Sequence, residues 1–215
     1  MADPSLTLYH FPGACSRVSV CALEMAGLPY TLELVNLSAG AQSDPAYRRI
    51  SPLAKVPSLL VDGVPLVENS AIITFVDLLR PDAGILPLDD DPRLRAETVG
   101  GLSFCGGTLH PIVRGLANPQ RLTTGDEEGV RQRSRELAGK SFDYAEARIV
   151  EQGWWLGIHS IIDVYLDWAF SVARCGGLEG ERFPALLRLE ERLQDLPAYC
   201  RMQEAELRSR AALGL

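Results

Sequence analysis

The spacing of hydrophobic and polar positions changes once along the chain, near residue 80. Before that point, short apolar runs alternate with segments that have apolar residues at helical spacing. The pattern predicts strands over 6–9, 30–35, 57–61 and 64–67, and helices over 16–25, after Asp44, and over 69–79. Asp62–Gly63 between two apolar runs indicates a hairpin. The predicted order of this half is therefore β-α-β-α-β-β-α.

The second half has a different pattern, in which helical spacing predominates. Residues 81–92 are rich in Pro, Asp and Gly, which is typical of a linker. Beyond them the spacing predicts helices over about 93–116, 127–152, 161–175, 184–195 and 197–212, and no convincing strand. We therefore expect an α/β domain over 1–82, a linker over 83–92 and an all-α domain over 93–215.

Composition and charge narrow the classes of function. The chain has 215 residues, and 47% of them are hydrophobic, so it can bury a substantial core. Its net charge of −7 disfavours a nucleic-acid partner and docking to acidic lipid, both of which favour a basic face. We expect no membrane span and no secretory signal, because the chain has no apolar run of about 18 residues and no basic flank before an apolar stretch.

The five cysteines favour reduced thiols in a cytoplasmic setting over a disulfide framework or a zinc site. Their number is odd, they are far apart, and no two of them form a CxxC pair.

The loop 11–17, with the sequence FPGACSR, is the first segment that could carry chemistry. It places Cys15 and Ser16 at the start of the first predicted helix. Unpaired amides and a partial positive charge at a helix start stabilise a nearby anion and lower the pKa of a thiol there. A structural interpretation has equal weight at this point, with Ser16 only capping the helix and Cys15 only filling a small buried space.

Two further segments could bind an extended ligand. A cis bond before Pro57 would turn the backbone of Val56 outward, where it could pair with that ligand, although an ordinary trans proline at a strand start is commoner. Glu68 and Asn69 lie where a strand runs into a helix start, which can bind a carboxylate or simply be capped by Asn69. Ser160–Asp163 matches a capping box, with a structural role.

In their order and spacing these segments together resemble the cytosolic glutathione transferases, and PGACS most resembles the bacterial beta-type members. The resemblance covers nearly the whole chain. It implies a thioredoxin-like N-terminal domain followed by an all-α C-terminal domain. It also implies a homodimer, with glutathione as co-substrate, a small hydrophobic electrophile as the second substrate, and no metal.

The resemblance also implies roles for individual residues. Cys15 would lie beside the glutathione sulfur, with Ser16 as the alternative donor and with His110 reaching the active site. The electrophile would occupy an apolar cleft between the domains, near Phe11 and His110. The residues implied to hold the tripeptide are Lys55, Val56 with a cis Pro57, Glu68 and Asn69.

Two positions depart from the family pattern, and the reaction itself stays open. Asn69 stands where Ser or Thr is usual, and Ala54 where Gly is commoner. The implied activity is attack of the glutathione thiolate on an electrophile, as in detoxification. Lowering the thiol pKa by two units takes about 2.7 kcal/mol, which one charge-assisted hydrogen bond and a helix start could supply. The alternatives are thiol–disulfide exchange, peroxide or ether cleavage, and a non-catalytic binding module.

Overall fold

The computed structural model describes residues 3–87 and 91–215. It consists of two compact units. The first unit combines the chain up to Ile85 with Asp195–Leu215, and the second contains Leu86–Gln194.

The first unit is built on a four-stranded sheet. Its strands are β1 (Leu6–His10), β2 (Thr31–Leu34), β3 (Ser58–Val61) and β4 (Val64–Val67), in the spatial order β2-β1-β3-β4. β1 pairs in parallel with β2 and antiparallel with β3, which is antiparallel to β4. Three helices complete the predicted order: α1 (Ser16–Ala26), α2 (Pro45–Ile50) and α3 (Asn69–Leu79). This is the thioredoxin-like arrangement that was expected.

Alternation along β1 decides which of its side chains enter the core. Leu6, Leu8 and His10 are buried, whereas Tyr9 points to the opposite face and packs against Tyr47 of α2, with their ring centroids 5.4 Å apart. The strand therefore ends on a histidine that is fully buried, immediately before the loop 11–15.

The last helix of the chain, α9 (Pro197–Leu213), belongs to the first unit and packs against α1. The predicted all-α domain includes 197–212, so the compact units divide the chain differently over this helix. The predicted domain boundaries themselves stay a prediction, and 88–90 of the predicted linker lie outside the described residues. Five side chains on one face of α9 are buried: Tyr199, Met202, Ala205, Glu206 and Ser209.

The second unit is helical throughout its described part. It contains α4 (Pro92–Ser103), α5 (His110–Ala117), α6 (Glu127–Gln152), α7 (Ile161–Cys175) and α8 (Pro184–Gln194). A π-helical segment, Phe104–Leu109, joins α4 to α5, so the predicted helix over 93–116 is one continuous helical path. Of the helices described in 3–87 and 91–215, none is both long and apolar enough to span a membrane.

The start of α7 shows why this helix can be buried on nearly every side. Its predicted capping box is present, with Asp163 accepting a hydrogen bond from the Ser160 amide at 2.8 Å. The same carboxylate accepts a second bond from the Trp155 amide at 2.8 Å. Buried amides need such acceptors, and here the sequence supplies them locally.

Candidate active site

The thiol of Cys15 faces the start of β3. Gly13 adopts a φ of +80°, which turns the chain after β1 and brings Cys15 to the position before α1. Cys15 is only 7% exposed, and its Sγ donates to the Val56 carbonyl oxygen at 3.6 Å. The Val56–Pro57 bond is cis, as the resemblance implied. Two segments about forty positions apart therefore meet at this thiol.

Asn69 connects a third segment to the same point. Its Nδ2 donates to the Cys15 carbonyl oxygen at 2.9 Å, and its Oδ1 accepts from the Ser19 hydroxyl at 2.6 Å. Its expected role as the cap of α3 is therefore wrong. Glu68 occupies the cap position, because the Asn69 side chain is turned toward α1 instead of toward its own helix.

Glu68 has an unusual backbone conformation at the start of α3. Its φ of 74° and ψ of 127° lie in a region that side-chain-bearing residues rarely adopt. Its side chain is exposed, and it makes no cap bond to α3. The first amides of a helix have no acceptor within the helix, so this start is suited to an anion.

Three hydroxyl groups fix the backbone before Val56. The Lys55 carbonyl oxygen accepts from Tyr47 at 2.6 Å, from Ser51 at 2.8 Å and from Ser58 at 3.4 Å. Burial raises the pKa of Tyr47, so its hydroxyl stays protonated and able to donate. The Lys55 side chain itself is exposed to solvent.

Ser16, the alternative donor, lies inside the first unit. It is fully buried, and its hydroxyl contacts the His10 Nδ1 at 2.8 Å. The same oxygen accepts from the Phe11 amide at 3.3 Å and lies 3.3 Å from the Phe11 carbonyl. The Ser16 hydroxyl therefore makes its three contacts with other groups of the protein.

Phe11 and His110 belong to different units. Phe11 packs on a small apolar cluster with Val35, Tyr47 and Val56 in the first unit. His110 begins α5 in the second unit, where its ring meets Trp168 with centroids 4.7 Å apart. The Tyr165 hydroxyl lies 3.5 Å from the His110 Nδ1. The expected role of His110 stays a prediction.

Sequence reasoning missed several polar residues that hold this site. His10, Ser19, Tyr47 and Glu206 have no recognisable motif around them. One signal was present for Glu206, because it falls on the apolar face of α9, at helical spacing from Met202 and Ser209. A carboxylate on such a face indicates a buried partner.

The cysteines differ in their surroundings. Cys105 is fully buried in the second unit, where burial raises the pKa of its thiol and leaves it unreactive. Cys175 is exposed, and all five cysteines are thiols in this structure. Over 3–87 and 91–215, no group of three or more His, Cys, Asp or Glu side chains could hold a metal ion.

Comparison with known proteins gives the same family for both units. Residues 4–77 match the family model of the glutathione S-transferase N-terminal domain. A maleylacetoacetate isomerase of Pseudomonas aeruginosa is 31% identical over 90% of this chain and 92% of its own length. Glutathione S-transferase GST-4.5 of Xanthomonas campestris is 30% identical over 84% of this chain and 89% of its own.

Solved structures show the same fold. A glutathione transferase homologue from Sulfitobacter, with bound glutathione, has a TM-score of 0.86 at 24% identity and covers 94% of this chain and 98% of its own. A beta-class glutathione S-transferase of Sphingomonas chungbukensis has a TM-score of 0.82 at 24% identity, with 93% and 98% covered. With this fold and the two relatives at 30% and 31% identity, the chain belongs to the glutathione S-transferase family.

Proposed function

We propose that this protein is a glutathione-dependent enzyme that activates the glutathione thiol beside Cys15 for attack on a small hydrophobic electrophile. One observation carries the proposal: Cys15 contacts both the Val56 carbonyl and the Asn69 side chain. The three segments that the resemblance assigned to glutathione therefore converge within a single compact unit.

Each part of the tripeptide has a matching group in this unit. The γ-glutamyl carboxylate would bind the amides at the start of α3, and the exposed Glu68 carboxylate would bind the γ-glutamyl amine. The backbone of Val56 would pair with the cysteinyl residue. Lys55, which is exposed, would provide a cation for the remaining carboxylate. Asn69 contributes by fixing Cys15, since its side chain already bonds Cys15 and Ser19.

The surroundings of Ser16 favour Cys15 as the donor to the glutathione sulfur. The Ser16 hydroxyl is buried and occupied by His10 and Phe11. The Cys15 thiol faces Val56, the residue that would pair with the cysteinyl part of glutathione. A thiol that donates to the glutathione thiolate, together with the start of α1, would lower the pKa of the bound glutathione.

Isothermal titration with glutathione tests the proposal. We expect binding in the low-micromolar to millimolar range, followed by glutathione-dependent turnover of a panel of electrophiles. The chain has two lysines, which give a matched pair of variants. Lys55→Ala should weaken binding about tenfold, as expected for one lost charge-assisted contact, whereas Lys140→Ala, at an exposed position of α6, should not. No heat at millimolar glutathione would favour a non-catalytic binding module.

Isomerisation of a double bond is a second candidate, because relatives of similar identity are named maleylacetoacetate isomerase. A thiolate can add to a carbon–carbon double bond that is conjugated to a carbonyl. Rotation about the resulting single bond and expulsion of the same thiolate would then give the trans isomer. The reaction returns glutathione unchanged, so it needs the same activated sulfur but a different second substrate.

Measuring the free thiol during turnover distinguishes the two reactions. With limiting glutathione, isomerisation of maleylacetoacetate would continue through many turnovers while the free thiol stays constant. Conjugation would stop once an equivalent amount of thiol had been consumed. Glutathione-dependent loss of an aryl halide with stoichiometric thiol loss, and no action on maleylacetoacetate, would favour the transferase.

We also propose a homodimer in the cytoplasm, acting in detoxification. The family resemblance supports the dimer, because cytosolic glutathione transferases are usually homodimers. Sedimentation should then give about twice the chain mass of 23.5 kDa. A mass near 23.5 kDa at all working concentrations would contradict the dimer.

A further inference from the structure

A buried chain of polar groups connects α9 to the loop that carries Cys15. The His10 Nδ1 lies 2.8 Å from the Ser16 hydroxyl, and its Nε2 lies 3.1 Å from Glu206 Oε1. The other oxygen of Glu206 accepts from the Gly13 amide at 2.7 Å. His10 and Ser16 are fully buried, and the Glu206 side chain is 9% exposed. The loop 11–15 is therefore attached to α9 both directly and through His10.

The Ser–His–Glu order resembles a hydrolytic triad, but the position of Ser16 argues against that chemistry. Its hydroxyl is buried against the Phe11 backbone, so no substrate carbonyl could approach it. The contacts instead bind the two ends of the loop, since Ser16 begins α1 and Phe11 follows β1.

The negative charge of Glu206 suits a role in holding the loop 11–15. Burial opposes its ionisation, but the nearby His10 side chain, the charge of Arg17 and the Gly13 amide outweigh burial and lower its pKa. A carboxylate offers two oxygens: here one accepts from the Gly13 amide, and the other lies 3.1 Å from His10 Nε2.

We propose that His10 and Glu206 are positioning residues, which hold the loop 11–15 so that the Cys15 thiol faces Val56. The proposal rests on the proposed function, in which Cys15 lies beside the glutathione sulfur. A displacement of about 1 Å in a reacting group can lower turnover by up to about a hundredfold. The residues assigned to the tripeptide lie just before β3 and at the start of α3, so its binding should depend less on this chain of contacts.

Glu206→Gln is the decisive variant, with Glu204→Gln as its matched control. Gln has one oxygen, so its NH₂ group would replace a carboxylate oxygen either opposite the Gly13 amide or beside His10 Nε2. Glu204 lies on the same helix, is 64% exposed, and pairs only loosely with Arg208, at 3.5 Å. We expect Glu206→Gln to lower kcat by about tenfold or more and to change KM for glutathione by less than about twofold. Glu204→Gln should match the unmodified protein.

Alkylation of Cys15 by iodoacetamide, followed by peptide mass mapping, provides a readout that needs no glutathione. Cys15 is 7% exposed, so loosening the loop should speed its alkylation several-fold in Glu206→Gln but not in Glu204→Gln. If the unmodified protein shows no glutathione-dependent turnover, the proposed function fails, while the alkylation rates still decide the positioning role.

Three outcomes would overturn the positioning role. The first is a folded Glu206→Gln whose kcat and alkylation rate equal those of Glu204→Gln. The second is an equal fall in kcat and in glutathione binding. If Glu206→Gln does not fold, His10→Gln is tested instead, because it removes the His10 contact and leaves the Gly13 contact. The third outcome is that neither variant folds, which would show that the contacts serve folding alone.

Discussion

The starts of α1 and α7 are both buried, but they are built in opposite ways. At α7, Ser160 and Asp163 are fully buried, and the Asp163 carboxylate accepts hydrogen bonds from the Ser160 and Trp155 amides. At α1, Cys15 occupies the cap position in a helical conformation, with φ −60° and ψ −14°, and makes no side-chain cap bond. A helix start with its own side-chain acceptor has fewer amides left for a ligand, whereas a start without such a cap can offer its amides to an anion.

The same contrast separates α3 from α6. Asp126 caps α6 by accepting from the Gly129 amide at 2.8 Å. At α3, Glu68 makes no cap bond, and Asn69 turns toward α1. The two helices to which the proposed function assigns glutathione thus both begin without a side-chain cap. The variants below test whether this difference separates binding starts from structural ones.

The largest expected effect follows Cys15→Ala. Thiol exchange with glutathione disulfide should be lost, since no sulfur remains in the loop to attack. Conjugation should fall by about 10- to 100-fold, because a lost hydrogen bond to an anion costs about 1.5–3 kcal/mol. Cys21→Ala, within α1 and also buried, should leave both activities nearly unchanged. Steady-state rates and intact mass after treatment with oxidised glutathione measure these effects.

The exposed Cys175 complicates the adduct measurement, because it is accessible to any thiol reagent. A Cys175→Ser background removes that signal, and peptide mapping assigns the remaining adducts. An adduct on Cys21, Cys105 or Cys200 in place of Cys15 would contradict the assignment of this loop.

The second largest effect is on stability, in Asp163→Ala. An exposed cap is worth about 1 kcal/mol, which is the cost we expect for the control Asp126→Ala. Asp163 should cost more, about 2–4 kcal/mol, because its removal leaves the buried amides of Trp155 and Ser160 without their acceptor. Urea unfolding of both variants measures the difference, and equal midpoints would show that burial adds nothing to this cap.

The contrast also explains which parts could be predicted from the sequence. The Ser160–Asp163 box was correctly predicted because its partners lie three residues apart. The order of strands and helices was correctly predicted because hydrophobic periodicity is a local property of the sequence. The bounds of α7 and of the hairpin strand β4 are those expected. The cis bond before Pro57 and the role of its neighbours came from the family resemblance alone.

The contacts that hold the loop could not be predicted, because they join residues far apart in the chain. Gly13 meets Glu206 across 193 positions, and Ser19 meets Asn69 across 50. No local pattern specifies such pairs. Asn69 illustrates the error that results: an Asn at a helix start predicts a cap, but its amide bonds another helix start instead.

The next effect is the pH dependence of the α7 start. Burial, opposed by the hydrogen bonds from Trp155 and Ser160, raises the pKa of Asp163 to about 6. The unfolded pKa is about 3.9, so the folded state favours the neutral acid. Its contribution is fully present below about pH 4 and is lost as the pH rises through about 6.

Between pH 4.5 and 7.5 this loss should amount to about 2 kcal/mol. Comparing urea unfolding of the parent with Asp163→Asn, which cannot titrate, isolates the contribution. A difference between the two proteins that stays constant over this range would mean that Asp163 is ionised throughout.

The smallest expected effect concerns the start of α3, where one substitution should raise stability and weaken glutathione binding. Glu68→Gly should raise the free energy of unfolding by about 0.5–1 kcal/mol, because relief of the strained φ of 74° exceeds the entropy gained by the unfolded chain. The same change should weaken glutathione binding about tenfold, through the lost contact to the γ-glutamyl amine. Glu68→Gln keeps the strain and removes the charge, so it should weaken binding without adding stability. Ala54→Gly, at a φ of 53°, should add stability without weakening binding. Thermal melting and isothermal titration of the three variants separate the two effects, and a Glu68→Gly protein that binds glutathione as tightly as the parent would remove Glu68 from the binding site.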